Sequence, residues 1–520
     1  MRRATLTSLA LALCLPALAG PDDDEEPAAA PFEPAAPVKM RAYDFDAFEV
    51  SAEMGATVGG AQDVGHFRDL VDRGEIPMPE SFTSEGLFSE HDLPLSGAPC
   101  ERLLCTNAKA VTARIATQPD VRAMVQLGFT SGLTADTFRR APLNLVAVVD
   151  QSGSMGGPPI ETVKATLDTL VAEHLREDDQ ISIVLYGSGT TQWLAPTPVH
   201  DRAALRARIA AIPIDGSTNM EAGLKLGFHV ARESQADFDG VSRVMLFTDE
   251  RPNTGATDKG SFMGLARDAS QDGIGMTTVG VGVQFGAELA QQVSAVRGGN
   301  LVFLPEDPST IATRMEEEFD TLVTELAYDL EVAFEPADGW RIAGLYGVPG
   351  DAVEWSEDRL LLEVETLFLS TKQGGIFVAL APEEGQQGRV GRDGLAHMAL
   401  AYTPRDGARE EQLQQLTHIA DARSVAGADA GLLRGPVLVD EATTLIAATQ
   451  AYHQRNDPEE AWKQVTALRQ RLEAVQDAEL EPERDLVRQL EELLAFRAGR
   501  QGEGGKVAER DPVTGLPLGG

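Results

Sequence analysis

Three oxygen-bearing side chains follow one another closely in Asp150-Gln151-Ser152-Gly153-Ser154, where the apolar, β-branched run Leu143 to Val149 stops. Their spacing lets alternate side chains of an extended loop face the same point. A carboxylate with hydroxyls, lacking thiol and histidine, is a donor set for a hard cation. Magnesium takes near-octahedral oxygen geometry and keeps some of its water, so one loop cannot complete its shell. Further ligands are therefore expected from other loops at the same end of a sheet. Thr218, in Gly216-Ser217-Thr218-Asn219-Met220, is one. Asp249, which ends a second buried run from Val244 to Thr248, is another.

Convergence of these residues requires strands that end together. Between about Pro142 and Leu326 the sequence alternates strand and helix patterns. The strands are expected at Leu143–Val149, Gln180–Tyr186, Thr191–Leu194, Ser242–Thr248, Gly275–Val283 and Leu301–Leu304. The helices are expected at Ile160–Leu175, Arg202–Ile212, Met220–Glu233, Phe262–Gln271, Ala287–Val296 and Ser309–Leu326. This alternation implies an α/β fold with a doubly wound, mainly parallel sheet. Ligands bind such sheets outside the carboxyl ends of the strands, and Asp150 and Asp249 sit at two of those ends.

The set resembles the metal-ion-dependent adhesion site (MIDAS) of the von Willebrand factor type A (VWA) domain, whose pattern is DxSxS followed by a distant Thr and a distant Asp. Asp150, Ser152, Ser154, Thr218 and Asp249 fill it in order. The resemblance covers residues 142–326 and implies a Rossmann-like VWA fold. It implies Mg²⁺ (or Mn²⁺ or Ca²⁺) held by the hydroxyls of Ser152, Ser154 and Thr218, with Asp150 and Asp249 binding directly or through water. A protein partner's Asp or Glu carboxylate would fill the open position. In this family Asp249 is commonly followed by Gly, whereas here Glu250, Arg251 and Pro252 follow; Glu250 is not included in the ligand set.

Around this insert, β-strand patterns flank on both sides: Val111–Ala116 and Ala123–Phe129 before it, then Leu330–Phe334, Arg341–Tyr346, Arg359–Val364, Gly375–Leu380 and His397–Tyr402 after it. Two strands cannot make an independent core. Residues 110–141 and 327–405 are therefore expected to join as one β-sandwich into which the VWA domain (142–326) is inserted, its site pointing away from the host. Residues 39–109 form a segment resembling the stretch that precedes the VWA domain in secreted bacterial proteins of this type. From Arg409 the pattern turns helical, and 409–498 is expected as a helical region, including the stretch Glu410 to Val425. The Gly-rich end, 499–520, is expected to be disordered.

The amino terminus carries Arg2 and Arg3, an apolar stretch from Leu6 to Leu18 and small residues at Ala17 and Ala19. Residues 1–19 read as a secretory signal peptide. Cys14 raises a lipoprotein signal as the lesser alternative, because Leu13 is not the small residue preferred before a lipidated cysteine. Residues 20–38 are acidic and rich in Pro and Ala, a disordered linker. No later stretch is long and apolar enough for a transmembrane helix. The mature chain is expected in the periplasm, on the cell surface or outside the cell. Its cysteines are then Cys100 and Cys105, a pair expected to form a local disulfide in an oxidising compartment, with two free thiols as the alternative.

A net charge of −37, from 44 basic and 81 acidic residues, argues against nucleic acid as a partner. The sequence has no HExxH, no GxSxG and no Walker A pattern. The acid pair Asp178/Asp179 precedes a strand and is expected to cap or solvate a turn. The reading is a non-enzymatic protein that binds another protein or a surface polymer through a divalent cation. One alternative is an envelope assembly or chaperone-like factor using the same site. The other, a metal-dependent hydrolase, lacks a general base of the usual kinds.

Overall fold

The computed structural model describes residues 53–500, apart from 59–60, 63, 80, 82, 135–137, 250–258, 282–295, 305–318, 349–352, 393, 406 and 426. The expected signal peptide, the linker, Cys14, Glu250 and the chain after Arg500 lie outside the described residues, as do most of the Ala287–Val296 and Ser309–Leu326 helices. The described residues all belong to one compact unit, Ala47–Gly520.

The chain opens with strands β1 (Glu53–Val58) and β2 (Ala61–Gln62), helices α1 (Val64–Asp72) and α2 (Ser84–Ser89), and strands β3 (Cys105–Thr112) and β4 (Ala123–Thr134). An α/β stretch follows: β5 (Leu143–Asp150), α3 (Pro158–Thr169), β6 (Gln180–Tyr186), β7 (Thr190–Pro198), α4 (Arg202–Ala210), α5 (Met220–Gln235), β8 (Val241–Thr248), α6 (Lys259–Gln271), β9 (Ile274–Val281) and β10 (Gly299–Leu304). Next come β11 (Glu325–Pro336), β12 (Trp340–Tyr346), β13 (Val353–Trp355), β14 (Leu360–Ser370), β15 (Gly375–Pro382), β16 (Ala396–Pro404), β17 (Glu410–Leu416) and β18 (Ile419–Ala420). The chain closes on helices α7 (Gly431–His453), α8 (Pro458–Glu473) and α9 (Glu481–Arg497).

The α/β stretch builds a sheet of order β2-β10-β9-β8-β5-β6-β7, parallel except for the edge pair β6–β7. Every residue of β5 is buried. Leu143, Leu145, Ala147 and Val149 face a core shared with Val163 and Leu167 of α3, while Val146 and Val148 face Leu224 and Phe228 of α5. A strand covered on both faces is continuously apolar rather than alternating, as β5 is from Leu145 to Val149. α5 lies so close that a Cβ on Gly227 would come within 2.3 Å of Val148 Cγ2.

Within residues 39–109, β2 adds a parallel edge strand beside β10, and β1 pairs with both β4 and β14 in the other sheet. A strand of two residues shows no periodicity, so the sequence carries no sign of it. Three sequence expectations are corrected here. Glu410–Leu416 is not helical but an antiparallel partner of β16. Leu413 and Leu416 have helical spacing, yet Leu413 is 86% exposed and pairing with β16 overrides local preference. The helix expected at Ile160–Leu175 ends as an α-helix at Thr169 and closes with a π turn, Leu170–His174. Finally, Gly499 and Arg500 of the expected tail are placed, Arg500 stacking 3.9 Å from the Trp462 ring and donating to Glu459 at 2.9 Å.

The second sheet runs β12-β15-β4-β1-β14-β11-β16-β17, with β3 beside β4. It curves around one core that gathers Val125 and Leu127 of β4, Val332 of β11, Leu362 of β14, Val378 of β15 and Leu400 of β16. Across the gap between β3 and the far end of the sheet, Thr106 Oγ1 donates to Gln412 at 2.9 Å and Tyr402 OH to the Leu104 carbonyl at 2.8 Å. Cys100 and Cys105 are disulfide-bonded at the start of β3.

Buried ion pairs fix the amino ends of the parallel strands, opposite Asp150 and Asp249. Arg243 on β8 is 2% exposed; it donates to Glu325 at the start of β11, to Thr277 Oγ1 at 3.0 Å and to the Gly298 carbonyl at 3.1 Å. Asp179 does more than cap a turn. It is buried, ion-paired with Arg140, and accepts from Leu143 N at 2.7 Å.

α7, α8 and α9 form a layer with α1 and α2 against the outer face of β4 and β15. Gly435 of α7 sits directly on Phe377 of β15; an added Cβ would meet its Cε1 at 2.1 Å. Gly435→Val must push α7 off the sheet. The expected loss is about 1–3 kcal/mol of stability, read by urea or thermal unfolding, whereas the same change at Gly427, with no atom within 4 Å of an added Cβ, is expected to cost far less.

Candidate functional site

The register of the parallel sheet sets the site. Asp150 lies opposite Tyr186, and Val149 opposite Phe247, so Asp150 and Asp249 leave the same edge of adjacent strands. Asp150 is 0% exposed. Its carboxylate is held from two sides: the backbone N–H of Ser152 donates to Oδ1 at 2.8 Å, and Thr248 Oγ1 donates to Oδ2 at 3.2 Å. The Ser152 and Ser154 hydroxyls lie 3.1 Å apart. Met155, fully buried in the core beneath, anchors this turn, and Gly157 (φ +89°) releases the chain into α3 at Pro158.

The loop carrying Thr218 is joined to the Asp150 loop through the backbone. Asp215 N donates to the Gln151 carbonyl at 2.6 Å, Gly153 N to the Gly216 carbonyl at 2.9 Å, and Gln151 N to the Tyr186 carbonyl at 2.9 Å. Gly216 has φ +55°, and a Cβ there would meet Ser188 Oγ at 1.9 Å. The loop needs glycine at that point for both reasons. Thr218 is buried, and Asn219 behind it caps α5 by accepting from Ala222 N at 3.1 Å. The three loops therefore bring Asp150, Ser152, Ser154, Thr218 and Asp249 to one end of the sheet, with only Ser154 partly open to solvent among the first four. Glu250 lies outside the described residues.

Burial pushes the Asp150 carboxyl up to about 6; hydrogen bonds from Ser152 oppose this, and the charge of Asp249 adds to it. The Tyr186 hydroxyl, fully buried, is also close enough to Asp150 to favour its ionised form. Tyr186 and Thr248 were not singled out in the sequence, although both occupy carboxyl ends of strands flanking β5. The Tyr186 ring rests against Gly223 of α5, where a Cβ would approach within 2.6 Å.

The donor set tests well for a hard dication. The groups hydrogen-bonded to Asp150 are neutral, and a buried carboxylate beside a second one is destabilised until a positive charge joins it. Hydroxyl and carboxylate oxygens suit Mg²⁺, Mn²⁺ or Ca²⁺ and not a thiophilic metal. Among the described residues no group of three or more His, Cys, Asp or Glu side chains has metal-binding geometry; here the carboxylates are two and the hydroxyls supply the rest.

Residues 144–317 match the family model of the von Willebrand factor type A domain, and the chain carries such a domain within its α/β fold. An uncharacterized protein of Synechocystis is 33% identical over 174 residues, 34% of this chain and 40% of that one. The uncharacterized protein YfbK of Escherichia coli is 29% identical over 199 residues, 37% of this chain and 34% of that one. The chain thus spans less than half the length of these relatives. A solved von Willebrand factor type A structure from Catenulispora acidiphila aligns with 82% of this chain and 94% of its own, at 14% identity and a TM-score of 0.48.

The elevated carboxyl gives a stability test. Its folded value, about 6, exceeds the ordinary 3.8, so the metal-free chain loses stability as pH rises from about 4 to about 6 and stays lower above that. Asp150→Asn keeps the shape without the charge. In EDTA at pH 7 it is expected to be more stable than the native chain, by up to about 3 kcal/mol, and to lack the decline between those pH values. Urea unfolding at a series of pH values reads both. A destabilised Asn variant with the decline intact contradicts the assignment.

Proposed function

We propose that the von Willebrand factor type A domain of this chain binds a divalent cation, Mg²⁺ foremost, and through it captures an acidic group of a protein partner outside the cytoplasm, without catalysis. Such domains are binding modules as a class, and this is the general reading; the cation and the acidic group are the specific one. The observation that carries it is the Asp150 carboxylate, sealed from water and held by neutral donors, close enough to Asp249 to feel its charge and next to the Ser152–Ser154 hydroxyl pair.

Ser152, Ser154 and Thr218 would supply neutral oxygens and Asp150 and Asp249 the negative ones. Bound there, the cation supplies an electron-poor centre that attracts an external carboxylate. The chain's own residues do the positioning: Ser152 N and Thr248 Oγ1 fix both oxygens of Asp150, and the Gly153–Gly216 backbone bond sets the distance between the loops. The surplus of hydroxyls over carboxylates matters, because two carboxylates do no more than balance a dication and the neutral oxygens donate weakly, which would leave its coordination shell open to an anion. No helix among the described residues is long and apolar enough to cross a membrane; with residues 1–19 read as a signal peptide, the proposed location is the periplasm, the cell surface or the medium.

Two measurements test this reading. Calorimetric titration of the EDTA-stripped chain is expected to show one Mg²⁺ site, absent in Asp150→Asn. Because the proton and the cation compete for Asp150, affinity at pH 5 is expected to be about tenfold below that at pH 7. An affinity flat across that range rules out Asp150 as a ligand.

The second measurement is a pull-down from envelope extract and conditioned medium with the native chain, in Mg²⁺ and in EDTA. A protein retained in Mg²⁺, released by EDTA and missed by Asp150→Asn is the expected result. Retention equal in all three would place binding elsewhere on the chain.

A further inference from the structure

Away from this site, two acids are sealed where the amino-terminal helix meets the carboxyl-terminal ones. Glu441 on α7 and Glu483 on α9 are both 0% exposed. Glu483 Oε1 is well supplied: Arg68 of α1 donates to it, and His91 Nε2 lies 3.0 Å away. Arg68 is shared, since it also donates to Glu90. Asp440, next to Glu441, is engaged by Arg471 of α8 at 2.6 Å. That leaves Glu483 Oε2 and both oxygens of Glu441 buried without any N–H or hydroxyl donor.

Two carboxylates cannot both stay ionised in such a place around one shared guanidinium. The donor that three orphaned acceptor oxygens lack is an acid O–H. A protonated carboxyl provides one, and an O–H···O⁻ bond between two acids is short and strong. A metal ion is a poor substitute, because Arg68 already brings positive charge and no group of metal-binding geometry exists among the described residues.

We propose that Glu441 and Glu483 share one proton, carried by Glu441 and donated to Glu483, and that this proton clasps α7 to α9. Burial drives Glu441 well above the ordinary carboxylate range, with the charge of Glu483 next in effect. Burial also acts on Glu483, but the His91 hydrogen bond and Arg68 outweigh it and hold Glu483 below that range. The proton thus resides on one acid and the charge on the other.

The sign of the pH dependence follows. Glu441 has a folded value above its unfolded one, so its contribution is complete at acid pH, below the unfolded value, and is lost as pH rises through the folded value. Glu441→Gln retains a donor, the amide N–H, without the titration.

In the full chain with EDTA present, the native unfolding constant is expected to rise with pH more steeply than that of Glu441→Gln, by up to about tenfold per pH unit between about pH 5.5 and 7. Asp150 titrates alike in both proteins and cancels from the comparison. Equal slopes overturn the proposal.

The infrared spectrum gives a second reading that does not need the variant to fold. At pH 7, where ordinary carboxylic acids are ionised, the chain in an Asp150→Asn background is expected to show the carbonyl stretch of a protonated carboxylic acid. Its absence at that pH also overturns the proposal.

Discussion

A carboxylate buried at the end of a strand that is itself buried on both faces is the constraint to which the α/β stretch answers. Asp150 ends a strand in which six apolar side chains between Leu143 and Val149 divide between two cores, and that packing carries it out of contact with water. An acid so placed must accept hydrogen bonds, and it takes them from Ser152 N–H and Thr248 O–H. Each donor fixes something else. The first folds the following loop back so that the two serine hydroxyls come side by side. The second ties β8 to β5 at the last residue before Asp249. The third loop is added by backbone bonds from Gly153 to Gly216 and from Asp215 to Gln151, possible only because residue 216 bears no side chain.

Rigidity at that edge depends on the opposite one. Arg243 joins β8, β9 and β10 to the start of β11, and Arg140 with Asp179 holds the entry into β5. These charges are buried with specific partners, an arrangement that selects one geometry even where it adds little net stability. Strand ends fixed at the host side leave the carboxyl ends, where Asp150 and Asp249 lie, as the edge on which loops of different length meet. Gly298 N donating to Thr366 Oγ1 of β14 at 2.7 Å continues this attachment into the second sheet.

The parts that could be read from the sequence were those whose signal is local. The run Leu143 to Val149, the hydroxyl-rich loop after it and the glycine before Thr218 each state their structure within a few residues, and the strands and helices between them have the periods of a covered parallel sheet. β11 and β16 alternate inward and outward residues and were equally plain. The parts that escaped depend on partners distant in the chain. β2 is two residues that become a strand only because Leu301 and Val302 lie beside them. Glu410–Leu416 has leucines spaced for a helix and is a strand because β16 offers an edge. Tyr186 resembled an ordinary core aromatic until Asp150 was placed next to it.

The same chemistry that opens one end of the molecule closes another. With 81 acidic residues against 44 basic ones, a net charge of −37, many carboxylates have no counter-ion and rely on water, and those taken out of water must find positive charge by other means. Asp179 finds Arg140. Glu483 finds Arg68, shared with Glu90, and Glu441, with none left, is neutral at the cost of holding a proton. Asp150 is held by a hydroxyl and a backbone N–H, at an edge where Ser154 is still within reach of solvent. A proton suits the sealed pair because its partner acid is already present in the protein. A dication suits the open pair because neutral oxygens can gather around it and an acid from another molecule can still approach.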